Sequence, residues 1–186
     1  MLTTYPGAYE PPDNYVGGTS PVFLVADRFD ASGRLLQKGS IPKSDPAAPP
    51  RMSALLSANF LFAPGIWVRE VPYDPQLYFS GEEPTLAVRS WTHVWDMFGP
   101  SEAILWHRYG RSDRRLHWDD HPTWYLRDKT SLERYNTVMT GQDYGPYGLG
   151  TDRSLIDYQT FSGIDFTNLT LTDAAKTGIW SLSSEA

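Results

Sequence analysis

The chain has 186 residues, with 15 Gly, 15 Pro, no Cys and a formal charge of −6. Without cysteine there is no disulfide framework, thiol nucleophile or thiolate metal site. The acidic balance argues against a general nucleic-acid binder. No apolar run approaches the roughly 20 residues of a membrane span. Aromatics make up 14% of the chain, with 7 Trp and 11 Tyr, a composition that excludes a disordered polymer. The opening Met1-Leu-Thr-Thr-Tyr-Pro6 lacks a basic region followed by an apolar core, so it does not read as a signal peptide. The expectation is a soluble, cytoplasmic chain with one domain over residues 1–180 and a frayed tail at 181–186.

Residues 1–21 are rich in turns, with a short strand expected at Leu2–Tyr5. The apolar run Val22–Ala26, the turn signal Asp30-Ala-Ser-Gly33 and the extended Arg34–Lys38 predict a hairpin within 22–41. Four prolines mark 42–50 as a surface loop. Ala54–Ala63 and Ile66-Trp-Val68 form the apolar heart. Pro64-Gly65 divides it into two strands, or a strand and a short helix. Ala87, Trp91, Val94 and Phe98, widened by Val88 and Trp95, predict a helix over 84–98 that Gly99-Pro100 stops. Ala103–Trp106 reads as a strand leading into His107, and 107–121 is dense in charge and histidine. Thr130-Ser-Leu-Glu133 has the form of a capping box that opens a helix ending near Gly141. A last helix is expected to open near Thr151 or Asp152, carry Leu155, Ile156 and Phe161, and stop at Gly163.

Three clusters carry chemistry. Ser80-Gly-Glu-Glu83 has two readings. In one, Ser80 and Glu83 cap the helix. In the other, the helix opens at Pro84 and Glu82 and Glu83 face a cleft, where carboxylates accept bonds from sugar hydroxyls or move a proton. His107 is either a divalent-metal ligand at a strand end or a partly buried structural histidine. Arg108 and Arg111 behind it could hold an anion such as a diphosphate. In Arg114-Arg-Leu-His-Trp-Asp-Asp-His121, His117 and Asp119 match two ligands of an iron facial triad, but no histidine lies well downstream, so a polar loop is the alternative. Phosphate loops, dinucleotide fingerprints, Gly-x-Ser-x-Gly and Asp-x-Asp are all absent.

The stretch Phe62-Ala-Pro-Gly-Ile-Trp-Val-Arg-Glu-Val-Pro-Tyr-Asp-Pro75, then Phe79-Ser-Gly-Glu-Glu83, Arg89-Ser-Trp-Thr-His-Val-Trp-Asp96 and His107-Arg-Tyr109, resembles a known family. It is similar to the C-terminal half of the N-acetylglucosaminyltransferases that include the cytoplasmic hydroxyproline enzymes. More distantly it resembles the polypeptide N-acetylgalactosaminyltransferases. Leu2-Thr-Thr-Tyr-Pro6, Tyr147-Gly-Leu-Gly150, Arg153-Ser-Leu155 and Gly163-Ile-Asp165 match more weakly. Asn59 and Val94 stand where this family has glycine, and Pro84 stands where an aliphatic residue usually follows the Glu pair.

The resemblance implies an α/β fold, a mixed sheet with packed helices, like the acceptor-side half of a GT-A glycosyltransferase. It implies transfer of a GlcNAc-like sugar from a UDP-sugar to a protein or glycan hydroxyl. Glu82 and Glu83 would be catalytic; Gly81, Trp91, Arg108 and Arg111 would bind substrate; His107 would ligate Mn²⁺ or Mg²⁺ together with ligands outside this chain. The nucleotide-binding half is expected to be missing, so a complementing half or a homo-oligomer is a candidate partner, and neither nucleic acid nor membrane is. The competing readings are a non-catalytic carbohydrate-binding or scaffold module and, on His117 and Asp119, a non-haem iron enzyme.

Overall fold

In a computed structural model of the protein, residues 1–15, 18–41, 45–110 and 115–181 are described, without the side chain of His117. Arg111, Arg114 and residues 182–186 of the expected tail lie outside the described residues.

The strands are β1 (Leu2–Thr3), β2 (Gly7–Glu10), β3 (Asn14–Tyr15), β4 (Phe23–Phe29), β5 (Leu35–Ser40), β6 (Arg51–Ser53), β7 (Leu61–Phe62), β8 (Met97–Gly99), β9 (Trp106–His107), β10 (Ile164–Asp165) and β11 (Thr170–Leu171). The helices are α1 (Trp67–Glu70), α2 (Glu82–Thr92), α3 (His117–Asp120), α4 (Trp124–Met139), α5 (Leu155–Ser162) and α6 (Asp173–Thr177), with a 3₁₀ turn at Gly145–Tyr147. The fold is α/β, with mixed sheets and packed helices. One sheet has the order β6-β8-β1-β7, and β1 is parallel to β8 and antiparallel to β7. A second has the order β3-β2-β9, with β2 parallel to β9. No helix among the described residues is long and apolar enough to cross a membrane.

The expected hairpin is β4–β5. Asp30 organises its turn, its Oδ1 accepting from the Ser32 and Arg34 amides while Gly33 takes φ 85°. Pro64-Gly65 separates a strand, β7, from a short helix, α1, and the fully buried Ala54-Leu-Leu56 is irregular backbone between β6 and β7. Of the strand expected at 103–106 only Trp106 is in β9, which continues into His107 and pairs with Gly7 and Ala8; residues 103–105 lie outside it.

Two helices differ from their predicted limits. The helix expected over 84–98 is α2, opening at Glu82 and ending at Thr92. Val94 then adopts φ 64°, and Phe98, four residues on in β8, keeps the apolar spacing while sitting in a sheet. Pro84 is the third residue of α2, where its missing N–H is one of the four that no helix satisfies. Thr130-Ser-Leu-Glu133 is not a helix start, because α4 already opened at Trp124. Thr130 Oγ1 instead donates back to the Leu126 carbonyl, and the residues α4 buries are Ser131, Tyr135, Val138 and Met139. The segment read as a polar loop at Asp119 is the short helix α3. The last expected helix is α5, capped by Ser154 and Asp157 and stopped by Gly163 at φ 68°.

The core gathers Leu24, Leu35, Leu55, Leu86, Val88 and Ile164 around α2, which packs against α4 and α5. Arg89, only 1% exposed, sits in this core and donates to the carbonyls of Pro72, Pro146 and Gly148 at 2.8, 3.2 and 3.1 Å. Burial lowers its pKa to about 10.

Val94 holds a β-branched side chain in the left-handed region, which costs about 1–2 kcal/mol relative to glycine. Half of that side chain is exposed, so little packing is lost on removing it. Val94→Gly is expected to raise the unfolding free energy by about 1 kcal/mol, read as a higher midpoint in thermal unfolding. A lower midpoint would show that the strain is not there.

Candidate active site

The chain folds a cleft of about 740 Å³ at the N-terminus of α2. One wall is β5, with Arg34 just before it and Gln37 within it. The floor is Tyr5 and Glu83, and the rim is Phe79, His107 and Tyr109. Separate stretches of sequence meet here because Tyr5 bridges to Val22, β2 runs beside β9, and the Gln37–Glu83 bond joins the hairpin to the first turn of α2.

Gly81 sets the geometry. It takes φ 95° as the residue before α2, and a Cβ there would come within 3.0 Å of Tyr135 Cδ2. The turn therefore delivers Glu82 and Glu83 as the first two residues of the helix, where negative charge meets the positive end of the dipole. Neither sequence reading had this start: Ser80 is not the cap and Pro84 is not the first helical residue. The reading in which both carboxylates face a cleft is the one the structure matches.

The two carboxylates differ in their surroundings. Glu83 accepts from Tyr5 Oη at 2.8 Å, Gln37 Nε2 at 2.9 Å and the Ala58 amide at 2.9 Å. Burial pushes its carboxyl above the ordinary range, and the Ala58, Tyr5 and Gln37 bonds pull the other way. Glu82 has no such set of donors. Burial, with the neighbouring Glu83 charge adding to it, pushes Glu82 up to about 7. Glu83 is thus the anchored carboxylate, and Glu82 is the one whose protonation changes near neutral pH.

The structure brings Gly81, Glu82, Glu83 and His107 into one cleft. Trp91 is placed in the core, stacked on Phe161 at 5.6 Å with the Arg153 guanidinium 4.8 Å from its ring, and does not line the cleft. Arg108 is exposed and outside the lining. The cation in the lining is Arg34, which the sequence reading passed over. It also missed Tyr5 and Gln37. Gln37 carried a signal, since it shares a strand face with the buried Leu35 and is a polar residue pointing inward.

The metal that the resemblance implies finds a poor donor set. Among the described residues no group of three or more His, Asp or Glu side chains is placed to hold an ion. Glu83 is already bonded to three donors, and His107 is the imidazole in the lining.

The α/β scaffold thus presents two unlike carboxylates on a glycine turn in an aromatic-rimmed cleft. The family model described as Glycosyltransferase (GlcNAc) matches residues 1–168, and the chain belongs to that family. No curated protein and no solved structure matches the chain.

The raised Glu82 also bears on stability. The unfolded chain loses this proton near 4.5 and the folded protein near 7, so between those values the folded state binds more protons. Stability from this group is intact below about pH 4.5 and is lost as pH rises to about 7. Glu82→Gln removes the penalty. It is expected to raise stability by on the order of 1–3 kcal/mol at about pH 8 and by nothing near pH 4.5. Thermal unfolding across that range checks it, and a pH-independent difference would contradict it.

Proposed function

We propose that the chain transfers a GlcNAc-like sugar from a UDP-sugar to a protein or glycan hydroxyl, with Glu82 moving the acceptor's proton. The observation that carries this reading is the pair of carboxylates in one cleft, one anchored by three donors and the other titrating near 7. As the acceptor oxygen attacks the sugar carbon, its proton passes to the Glu82 carboxylate and the nucleoside diphosphate departs with the bonding electron pair. A carboxyl poised near neutral pH is matched to that task. Glu83 holds the floor of the cleft in place. Tyr5 and Tyr109 border the same floor, and burial, with the Glu83 charge adding to it, raises the pKa of both phenols.

In this reading the chain is the acceptor-side part of a GT-A enzyme related to the cytoplasmic hydroxyproline N-acetylglucosaminyltransferases. A nucleotide-binding half completes the donor side. His107 is a candidate ligand for Mn²⁺ or Mg²⁺, which would offset the charge of the leaving diphosphate. The described residues do not assemble a full ligand set, so no step is routed through the ion.

Glu82→Gln is expected to lower turnover about 10²–10⁴-fold in the preparation in which the wild type transfers sugar. Wild-type turnover should rise with pH and level off above about 7, following the Glu82 carboxylate. Turnover unchanged in Glu82→Gln would remove Glu82 from the chemistry.

A further inference from the structure

Phe79, Val94 and Leu169 are the non-glycine residues with positive φ among the described residues, and of these Phe79 lines the cleft. A φ of 59° is an outlier for so bulky a side chain. The Ser80 amide donates to the Tyr78 carbonyl at 2.7 Å, which closes a three-residue turn with Phe79 at its centre. With positive φ at the central residue such a turn is rare and strained.

Strain of this kind persists only where the surroundings enforce it. Here the enforcing group is Ser131 of α4, which is fully buried. Its Oγ accepts from the Tyr78 amide at 3.1 Å and donates to the Ser80 carbonyl at 3.1 Å. One hydroxyl therefore holds the backbone on both sides of Phe79. Tyr135, one helical turn further along α4, lies against Gly81 and fixes the next step of the same turn.

All this structure does not bury the ring. Phe79 is 57% exposed, and the Trp118 ring meets it at 5.7 Å with the planes 82° apart. A phenyl group has no polar atom to place in water. Single exposed apolar side chains are ordinary on a protein surface. An exposed ring held at a cleft rim by a strained backbone and a buried hydroxyl is not accounted for by folding alone.

The groups around the ring define what suits it. Glu82 and Glu83 line the same cleft and offer oxygens to hydroxyl groups. The guanidinium in the lining, Arg34, is already paired with Asp128 at 3.0 Å. An anion entering beside Phe79 would meet two carboxyl groups and a cation that is already neutralised. A neutral pyranose fits both surfaces. Its hydroxyls, at the ring edge, donate to carboxylate oxygens, and its C–H face is the positive counterpart of the negative face of an aromatic ring.

We propose that Phe79 is the platform on which the cleft seats the C–H face of a neutral sugar ring. The assignment rests on the glycosyl-transfer reading and adds to it the residue that binds the apolar face of the sugar. Phe79→Leu keeps an apolar side chain and removes the aromatic face. Phe79→Tyr keeps that face. Phe79→Gly removes the ring and the backbone strain together.

The experiment is an NMR titration of the full chain with N-acetylglucosamine and, separately, with UDP, with thermal unfolding of each variant alongside. The wild type is expected to show a saturable sugar site, with saturation transferred from the protein to the ring C–H protons of the sugar. Phe79→Leu is expected to weaken that site at least about 5-fold and Phe79→Tyr to stay within about 2-fold of the wild type. Phe79→Gly is expected to lose the sugar while its unfolding midpoint stays level or rises. Unchanged sugar binding in Phe79→Leu overturns the proposal, as does an equal loss in Phe79→Tyr or a wild type with no saturable sugar site. A midpoint that falls in Phe79→Gly makes the residue structural and overturns it as well. Weakened UDP binding with sugar binding intact also overturns it, and makes the ring a support for the base. The transfer reading is judged separately, by turnover of Glu82→Gln. A platform that binds sugar in a protein whose Glu82→Gln variant still turns over would retain the present inference and discard that one.

Discussion

A carboxylate with three donors from three distant parts of the chain is the constraint around which this protein is arranged. Glu83 ties Tyr5, Gln37 and Ala58 to the first turn of α2, so the N-terminal strands, the hairpin and the loop before β7 meet at one point. A half-buried carboxyl needs such donors, and the donors need it in return: without it, three N–H or O–H groups would lose their acceptor. The neighbouring Glu82 inherits a fixed position from that network without being neutralised by it. Two adjacent residues of the same type thereby acquire different chemistry.

The same helix is held at its other end by charge of the opposite sign. Arg89 places its guanidinium on carbonyls of Pro72, Pro146 and Gly148, and Thr92 Oγ1 accepts from the Gly150 amide at 2.9 Å. These bonds join α2 to the loop after α1 and to the 3₁₀ turn at Gly145–Tyr147 with the residues that follow it. Helix α2 is therefore clamped at both ends by polar contacts, and its apolar middle supplies Leu86, Val88 and Trp91 to the core.

What could be read from the sequence was local. The β4–β5 hairpin followed from an apolar run, an Asp-x-x-Gly turn and resumed extension, and the strand–helix split at Pro64-Gly65 followed from the two residues that break regular backbone. The cleft-facing alternative for Ser80-Gly-Glu-Glu83 had the helix open at Pro84; the carboxylates do line the cleft, but as the first two residues of the helix. The errors came where spacing was compatible with two structures. Val94 and Phe98 continue a helical stripe on paper, but a left-handed turn at Val94 sends Phe98 into a strand. Thr130 and Glu133 have the form of a cap, yet the same pair sits without penalty in mid-helix. Tyr5, Arg34 and Gln37 were missed for a different reason. Each gains its meaning from a partner 78, 94 or 46 residues away, and a single chain read in order does not bring those partners together.

The placement of β1 has a kinetic side. The strand occupies the middle of its sheet and pairs Leu2 with Phe62 on one flank and Phe98 on the other, while β2 just after it waits for Trp106. Both pairings of β1 therefore span long stretches of chain, and loop closures of that length slow folding. Until they form, β1 carries unpaired backbone edges, the kind of surface that chaperones bind and that other chains can join.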